Sequence, residues 1–382
     1  MKRISVFGAG RVGALIARDL AADPGLEVHV ADRSAAALER LTADVPVRVH
    51  RLDLGECEAI REVAGMSDVA VGAVPGALGF RLVETLIDAG TPAVDISFFS
   101  EDPFLLDAAA RERGVPVVVD SGVAPGISNL LAGRAAAELE PLESIRILVG
   151  GLPLAPVAPW GYRAVFSPAD VLEEYVRPSR FRVDGAEIVA PALSDVELVE
   201  FPGIGTLEAF LTDGLRTLLA TSPARTLVEK TLRWPGHADR VRLLRDTGFF
   251  DTEPIDLGGA EVAPRDLTLA LLGEQWALGE SEEEFTLLRV EAIGIRGARR
   301  ERIRWDLLDR TDPATGATSM ARTSGFPAAI VARLLAEGRW NQPGVYAPEE
   351  LGARAEVAER VLSELARRGI RVRREATPLD PE

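Results

Sequence analysis

A chain of 382 residues, 47% of them hydrophobic, is long enough for two or three domains, each with its own core. Its net charge of −16 repels phosphate backbones and anionic lipid, which disfavours nucleic acid and membrane partners. No run of about eighteen apolar residues argues for a membrane span. The opening MKRISVFGAG lacks a signal-peptide pattern, and the single cysteine, Cys57, leaves no disulfide to form within the chain, so the cytoplasm is the expected compartment.

The first 120 residues alternate regularly. Apolar runs predict strands at Ile4–Phe7, Val28–Ala31, Val47–Val49, Val69–Val74, Ala93–Ile96 and Val115–Val119. Helical spacing between them aligns Leu15, Ile16 and Leu20 on one face, and Leu82, Leu86 and Ala89 on another. Strands alternating with helices form a doubly wound parallel sheet, and continuously apolar runs such as VAVGAV fit strands covered on both faces. After Gly126 the rhythm changes. SIRILVGGLP, RFRVDGAEIV and FTLLRVEAIGIRG read as strands joined by long connections, which is α+β material. Helical patterns return at Pro327–Leu335 and Pro348–Arg367, and the closing REATPLDPE is expected to fray.

The fragment Gly8-Ala9-Gly10-Arg11-Val12-Gly13 fits G-x-G-x-x-G. It follows an apolar strand, opens a helix, and has Asp32 about twenty positions on, which is the context a dinucleotide fingerprint requires. Gly8 serves the tight turn, Gly10 the approach of the pyrophosphate, and Gly13 the helix–sheet packing. Asp32 suits the ribose hydroxyls of NAD and repels the 2′-phosphate of NADP, whereas Arg33 would welcome that phosphate. NAD is therefore the expected cofactor, with NADP allowed. Asp53 is a candidate for the adenine edge or a solvated strand end. Val74-Pro75 ends the fourth strand on the ligand-binding edge of the sheet.

Asp95 and Ser97 end the fifth predicted strand and Asp120 the sixth, so each is either a strand cap or a group facing the ligand crevice. His29 and His50 read as structural or surface residues. His237, in Arg233-Trp234-Pro235-Gly236-His237, reads as a loop histidine, either a site group or a surface one. No H-x-x-H, C-x-x-C or clustered His/Cys/Asp spacing occurs, so no catalytic metal is expected. Lysine occurs only at Lys2 and Lys230, which leaves Lys230 with either a specific role or chance retention on a strand.

Together with the fingerprint, DSGVAPGISN from Asp120, KTLRWPGH from Lys230 and SMARTSGFPAAI from Ser319 make the chain resemble the saccharopine dehydrogenase family, nearest its lysine 6-dehydrogenase-like members. The resemblance spans nearly the whole length. It implies a Rossmann domain (1–124), an inserted α+β mixed-sheet domain for substrate binding and dimerisation (125–322), and C-terminal helices packing back on the first domain (323–382). It also implies a homodimer acting on a small amino acid or amine. Glutamate-forming saccharopine reductases typically carry an aspartate where Ala124 stands, and G-V-A-P-G looks like the lysine 6-dehydrogenase form.

The expected reaction is oxidation of an amino acid's amine to an imine by hydride transfer, then hydrolysis. Asp120 and His237 are candidates for removing the ammonium proton, Arg216 and Arg233 for binding an α-carboxylate, and Asp95 or Asp213 for holding an α-ammonium. The alternatives are a saccharopine dehydrogenase or reductase, and a non-catalytic dinucleotide-binding regulator.

Overall fold

The computed structural model describes residues 1–279 and 282–379, and the chain divides into two compact units. The first comprises Met1–Ala137 and Ala321–Arg371, the second Glu138–Met320 and Val372–Glu382. Among the described residues no helix is long and apolar enough to cross a membrane.

The first unit opens with β1 (Lys2–Phe7), α1 (Arg11–Ala21), β2 (Leu26–Asp32), α2 (Ala35–Asp44) and β3 (Arg48–Arg51). It continues with α3 (Cys57–Ala64), β4 (Val69–Gly72), α4 (Gly76–Asp88), β5 (Ala93–Asp95), α5 (Asp107–Arg113) and β6 (Pro116–Val118), and α6 (Ile127–Glu138) leads out. All six expected strands form, pairing in parallel in the doubly wound order with β1 beside both β2 and β4. The core strands are apolar on both faces: Val6, Val30, Val71 and Val94 on one face and Phe7, Ala31, Ala70 and Ala93 on the other are fully buried.

The second unit holds a mixed sheet. It begins with β7 (Leu142–Pro153), α7 (Pro168–Val176), β8 (Ser179–Val183), β9 (Ala186–Ala190), β10 (Glu197–Phe201) and β11 (Gly205–Leu211). Then come α8 (Leu218–Thr221), β12 (Thr226–Arg233), α9 (His237–Asp246), β13 (Ile255–Asp256), β14 (Glu261–Val262), α10 (Pro264–Trp276), β15 (Glu284–Arg296) and β16 (Arg299–Arg310). The main order is β10-β11-β12-β7-β15-β16-β18, where β18 is Val372–Pro378, with only β12 and β7 parallel. RFRVDGAEIV folds as the β8–β9 hairpin because Asp184 and Gly185 both adopt positive φ, the requirement of a tight two-residue turn.

The chain then re-enters the first unit through α11 (Ser319–Ala336), β17 (Gly344–Tyr346), α12 (Pro348–Ala353) and α13 (Ala355–Arg367). β17 adds a seventh parallel strand beside β6. Gly325 of α11 lies so close to α1 that a Cβ there would meet Val12, Leu15 and Ile16 at 3.3–3.4 Å, so α11 packs on the helix that follows the fingerprint. The closing segment expected to fray is instead β18 (Val372–Pro378), antiparallel to β16. The ion pairs Arg304–Glu375 (2.7 Å) and Arg374–Glu138 (2.7 Å) hold this polar strand, while Asp380–Glu382 lie outside the described residues.

Candidate active site

The glycine-rich turn joins β1 to α1, and its three glycines differ in what they do. Gly8 has φ +110° and a Cβ there would fall 2.2 Å from the Ala73 carbonyl, so both turn and packing demand glycine. At Gly13 a Cβ would lie 2.0 Å from the Gly8 carbonyl, which fixes the close approach of α1 to the turn. Gly10 is different. Its φ is −65° and a Cβ would meet no protein atom within 4 Å, so nothing in the fold requires glycine there. Close approach by a ligand is the reason that remains. The first turn of α1 has no acidic residue and no side-chain cap, which suits its amides to an anion.

Asp32, at the end of β2, accepts from the Ala9 amide at 2.6 Å through Oδ2 and from the Ser34 amide at 2.7 Å through Oδ1. It thereby ties the fingerprint turn to the adjacent strand end. Arg33 is exposed, and its carbonyl accepts from Arg51 Nε at 3.4 Å, which brings a second arginine to this rim. Asp53 closes a local turn by accepting from the Gly55 amide at 2.9 Å. Val74 is buried and Pro75 immediately precedes α4. The residues present at the carboxyl end of β1 and β2 therefore fit a dinucleotide.

Asp95 is fully buried at the end of β5, accepting from the Ser97 amide (2.7 Å) and hydroxyl (3.0 Å). Room for its carboxylate comes from Gly72, where a Cβ would stand 2.1 Å from Oδ2. The Ser121 amide donates to the Asp95 carbonyl at 2.9 Å, so the segment after β6 is pinned to the end of β5. Just before it Asp120, buried at 2% exposure, has φ +54°, a left-handed conformation that aspartate tolerates better than most residues.

The tight DSGVAPGISN signature follows from Gly126, whose φ is +140° and whose Cβ would collide with the Gly122 carbonyl at 1.8 Å. Asn129 supports the turn through Oδ1, which the Gly126 amide approaches at 3.4 Å, and its Nδ2 donates to the buried Glu349 at 3.1 Å. Neither Asn129 nor Glu349 was foreseen as a support.

The second unit corrects the reading of His237. It stands not on an open loop but as the first residue of α9, fully buried. Nδ1 lies 3.0 Å from the Trp160 carbonyl, which fixes the proton there. Nε2 therefore accepts from the Tyr175 hydroxyl at 2.9 Å, and Tyr175 in turn accepts from Arg233 Nε at 3.1 Å. Burial and the Arg233 charge lower the imidazole to about 3. A ring so engaged has no nitrogen to offer a substrate.

The imidazole signal is accordingly expected to show no titration between pH 5 and 8 by NMR (roughly where a free histidine changes charge), and a midpoint near the ordinary value would refute the assignment. His237→Ala should cost about 1–3 kcal/mol for the stranded Tyr175 hydroxyl alone, with a cavity cost added, measured by denaturant unfolding. The histidine's folded value lies below its unfolded one, so its contribution to stability is lost as pH falls from about 6.5 toward 3.

The other predicted residues are divided. Arg233 is buried within this aromatic cluster, its guanidinium 4.6 Å from the Tyr162 ring centroid. Arg216 is buried between β11 and α8 with φ +46°. The Asp213 carboxylate is gripped at both oxygens by Arg180, at 3.0 and 2.9 Å. Lys230 is buried in β12, its Nζ 2.6 Å from Glu197 Oε1 and 2.8 Å from Asp195 Oδ2, so it serves an ion pair within its sheet.

Beside it in the chain, Glu229 is buried, and burial raises its carboxyl to about 8 even though the Thr212 hydroxyl donates to it at 2.8 Å. The native state therefore holds an extra proton between about 4.5 and 8, and this group's contribution to stability falls as pH rises through that window. Glu229→Gln should flatten that loss and melt above the parent at pH values past about 8; parallel melting curves for the two proteins would refute it. Among the described residues no group of three His, Cys, Asp or Glu side chains is arranged to hold a metal ion.

Two family models cover this chain almost end to end. The saccharopine dehydrogenase NADP binding domain matches residues 4–118, and the saccharopine dehydrogenase C-terminal domain matches 122–370. The chain belongs to the saccharopine dehydrogenase family. It is an NAD(P)-dependent oxidoreductase of that family.

Its relatives include the NADP-dependent, L-glutamate-forming saccharopine dehydrogenase of Saccharomyces cerevisiae, 24% identical over 91% of this chain and 94% of the relative. Carboxyaminopropylagmatine dehydrogenase of Synechocystis is 20% identical over 92% and 93%. The α-aminoadipic semialdehyde synthase of Arabidopsis thaliana is 24% identical over 80% of this chain, which spans only 37% of that relative's length. The solved apo structure of the yeast enzyme has the same fold, with a TM-score of 0.81 at 22% identity, covering 99% of this chain and all of the other.

Proposed function

We propose that this family member oxidises the primary ε-amine of L-lysine or a close diamino acid, with NAD as the preferred acceptor. The observation that carries the reading is the β6 turn, where Asp120 supplies a buried carboxylate and position 124, carboxylate-bearing in glutamate-forming saccharopine reductases, is alanine. Bound NAD(P) supplies the hydride acceptor. Asp120 takes the proton that the ammonium must lose before its carbon can release hydride, since an alkylamine has a pKa of about 10.4. The imine then adds water and releases ammonia and the aldehyde. Arg233 is the candidate anchor for the α-carboxylate.

The test is the absorbance of reduced cofactor with a panel of amines including L-lysine and saccharopine. Faster turnover of saccharopine than of every primary amine would overturn the reading. A second reading, oxidation of a larger secondary amine, draws on the names of the yeast and Synechocystis relatives. A homodimer, checked by light scattering, and a cytoplasmic location, checked by cell fractionation, are part of the proposal.

The preference for NAD rests on Asp32. Fluorescence titration should give at least about tenfold tighter binding of NAD than NADP, a difference of about 1.4 kcal/mol. Equal or tighter binding of NADP would assign the ribose pocket to Arg33 and Arg51 instead.

A further inference from the structure

Arg233 is covered by its own chain. Nε donates to the Tyr175 hydroxyl at 3.1 Å, Nη1 to the Leu232 carbonyl at 3.0 Å, and Nη2 to Glu174 Oε2 at 3.3 Å. The first two partners are fixed, since Tyr175 is fully buried and locked to His237, and Leu232 offers backbone. Glu174 is not fixed in this way. It makes one long contact where a guanidinium fork can give a carboxylate two short ones. Its side chain keeps 21% exposure against 3% for Arg233, so of the pair it is Glu174 that reaches solvent.

A second observation concerns Tyr162. Its hydroxyl is completely buried beside the Arg233 guanidinium, which can only donate to it, and its own proton has no acceptor among the described residues. An unsatisfied buried hydroxyl costs about 1–3 kcal/mol, and the Glu174 carboxylate does not relieve it. An acceptor seated against both Arg233 Nη2 and Tyr162 Oη would relieve it.

We propose that Glu174 is an internal stand-in for the substrate's carboxylate: an incoming carboxylate takes Arg233 Nη2 and the Tyr162 hydroxyl, and Glu174 turns out to solvent. The proposal rests on the reading of Arg233 as the carboxylate anchor, and it makes Glu174 a positioning residue that tunes affinity. Burial raises the Glu174 carboxyl to about 7 against the pull of Arg233 and Arg177, with Asp170 on the same helix adding to the rise. Glu229 of β12 and the two tyrosines also face it. As pH rises through about 7 the stand-in ionises, competes harder for Arg233 and weakens carboxylate binding.

The test is calorimetric binding of glutarate, a carboxylate probe independent of which amine is oxidised, to the parent, Glu174→Gln, Tyr162→Phe and Arg233→Lys proteins across pH 6 to 9 (roughly spanning the ionisation of a raised carboxyl). Glu174→Gln is expected to bind glutarate on the order of tenfold tighter above neutrality, the amount by which a site nine-tenths held by its own chain weakens a ligand. It should also lose the parent's fall in affinity with rising pH. Tyr162→Phe should weaken binding.

Equal affinities and equal pH slopes for the parent and Glu174→Gln would overturn the stand-in. If Arg233→Lys also binds like the parent, the anchor reading itself has failed. If Arg233→Lys loses glutarate while Glu174→Gln matches the parent, only the stand-in has failed. Failure to turn over lysine touches neither result.

Discussion

Replacing Gly10 by valine is expected to leave the protein folded and to remove dinucleotide binding. The reasoning depends on how little the fold asks of this position. With φ at −65° any residue can adopt the backbone conformation, and a Cβ there would meet no protein atom within 4 Å. The melting temperature should therefore stay near the parent's. A valine side chain would instead occupy the space through which the pyrophosphate approaches the uncapped amides of α1. Losing two charge-assisted hydrogen bonds at about 1.5–3 kcal/mol each predicts a fall in affinity of roughly 10²–10⁴-fold. Fluorescence titration with NAD measures it, and unchanged affinity in a normally melting variant would remove the ligand from the explanation of Gly10. Gly8→Val and Gly13→Val make the contrast. Their Cβ atoms would fall 2.2 and 2.0 Å from backbone carbonyls, so these two should fail in folding before they fail in binding.

The first unit was legible because its strands are buried on both faces and its helices lie between them, so each element announces itself within a dozen residues. β17 was not. It is only three residues, Gly344–Tyr346, and joins β6 across more than two hundred residues of intervening chain, a pairing no local pattern encodes. β18 was misread for a related reason. Its residues are mostly exposed, three of the seven are charged, and beyond its ladder to β16 it is held by ion pairing rather than an apolar stripe. The β10, β11, β12 and β16 strands carry charged residues at buried or half-buried positions, such as Glu208 and Glu229, and this masks their alternation.

The site divides along the same line. The fingerprint was readable because a phosphate-binding turn is local, with Asp32 reached through a single neighbouring strand. The Arg233 cluster was not readable, because Trp160, Tyr162, Glu174, Tyr175 and Trp276 arrive from connections and helices far apart in sequence. The one signal available was that His237 follows Pro235-Gly236, which reads equally as a turn or as the residues before a helix; in the structure Gly236 has φ +86°. The structure shows the latter, with His237 as the first, fully buried residue of α9.

Asp120→Asn is expected to retain NAD binding and to lower kcat by about 10²–10⁴-fold, the usual range for a general acid–base group. The substitution suits this position. Asp120 has φ +54°, and asparagine is the other common residue that adopts this conformation without strain, so the turn should persist. Volume and hydrogen-bonding reach are nearly conserved, and what is lost is the capacity to accept a proton. The neighbouring Ser121 amide, which pins the segment to the Asp95 carbonyl at 2.9 Å, is untouched. Asp120→Ala would be a poorer test, because it burdens a left-handed backbone position as well as removing the carboxylate. If the proton is taken by Asp120, the loss should appear in kcat for L-lysine while the dissociation constant for NAD stays put. A variant that turns over at the parent rate would reduce Asp120 to a strand cap. Because His237 is sealed between Trp160 and Tyr175, the search for the base would then move to the substrate's own second amine.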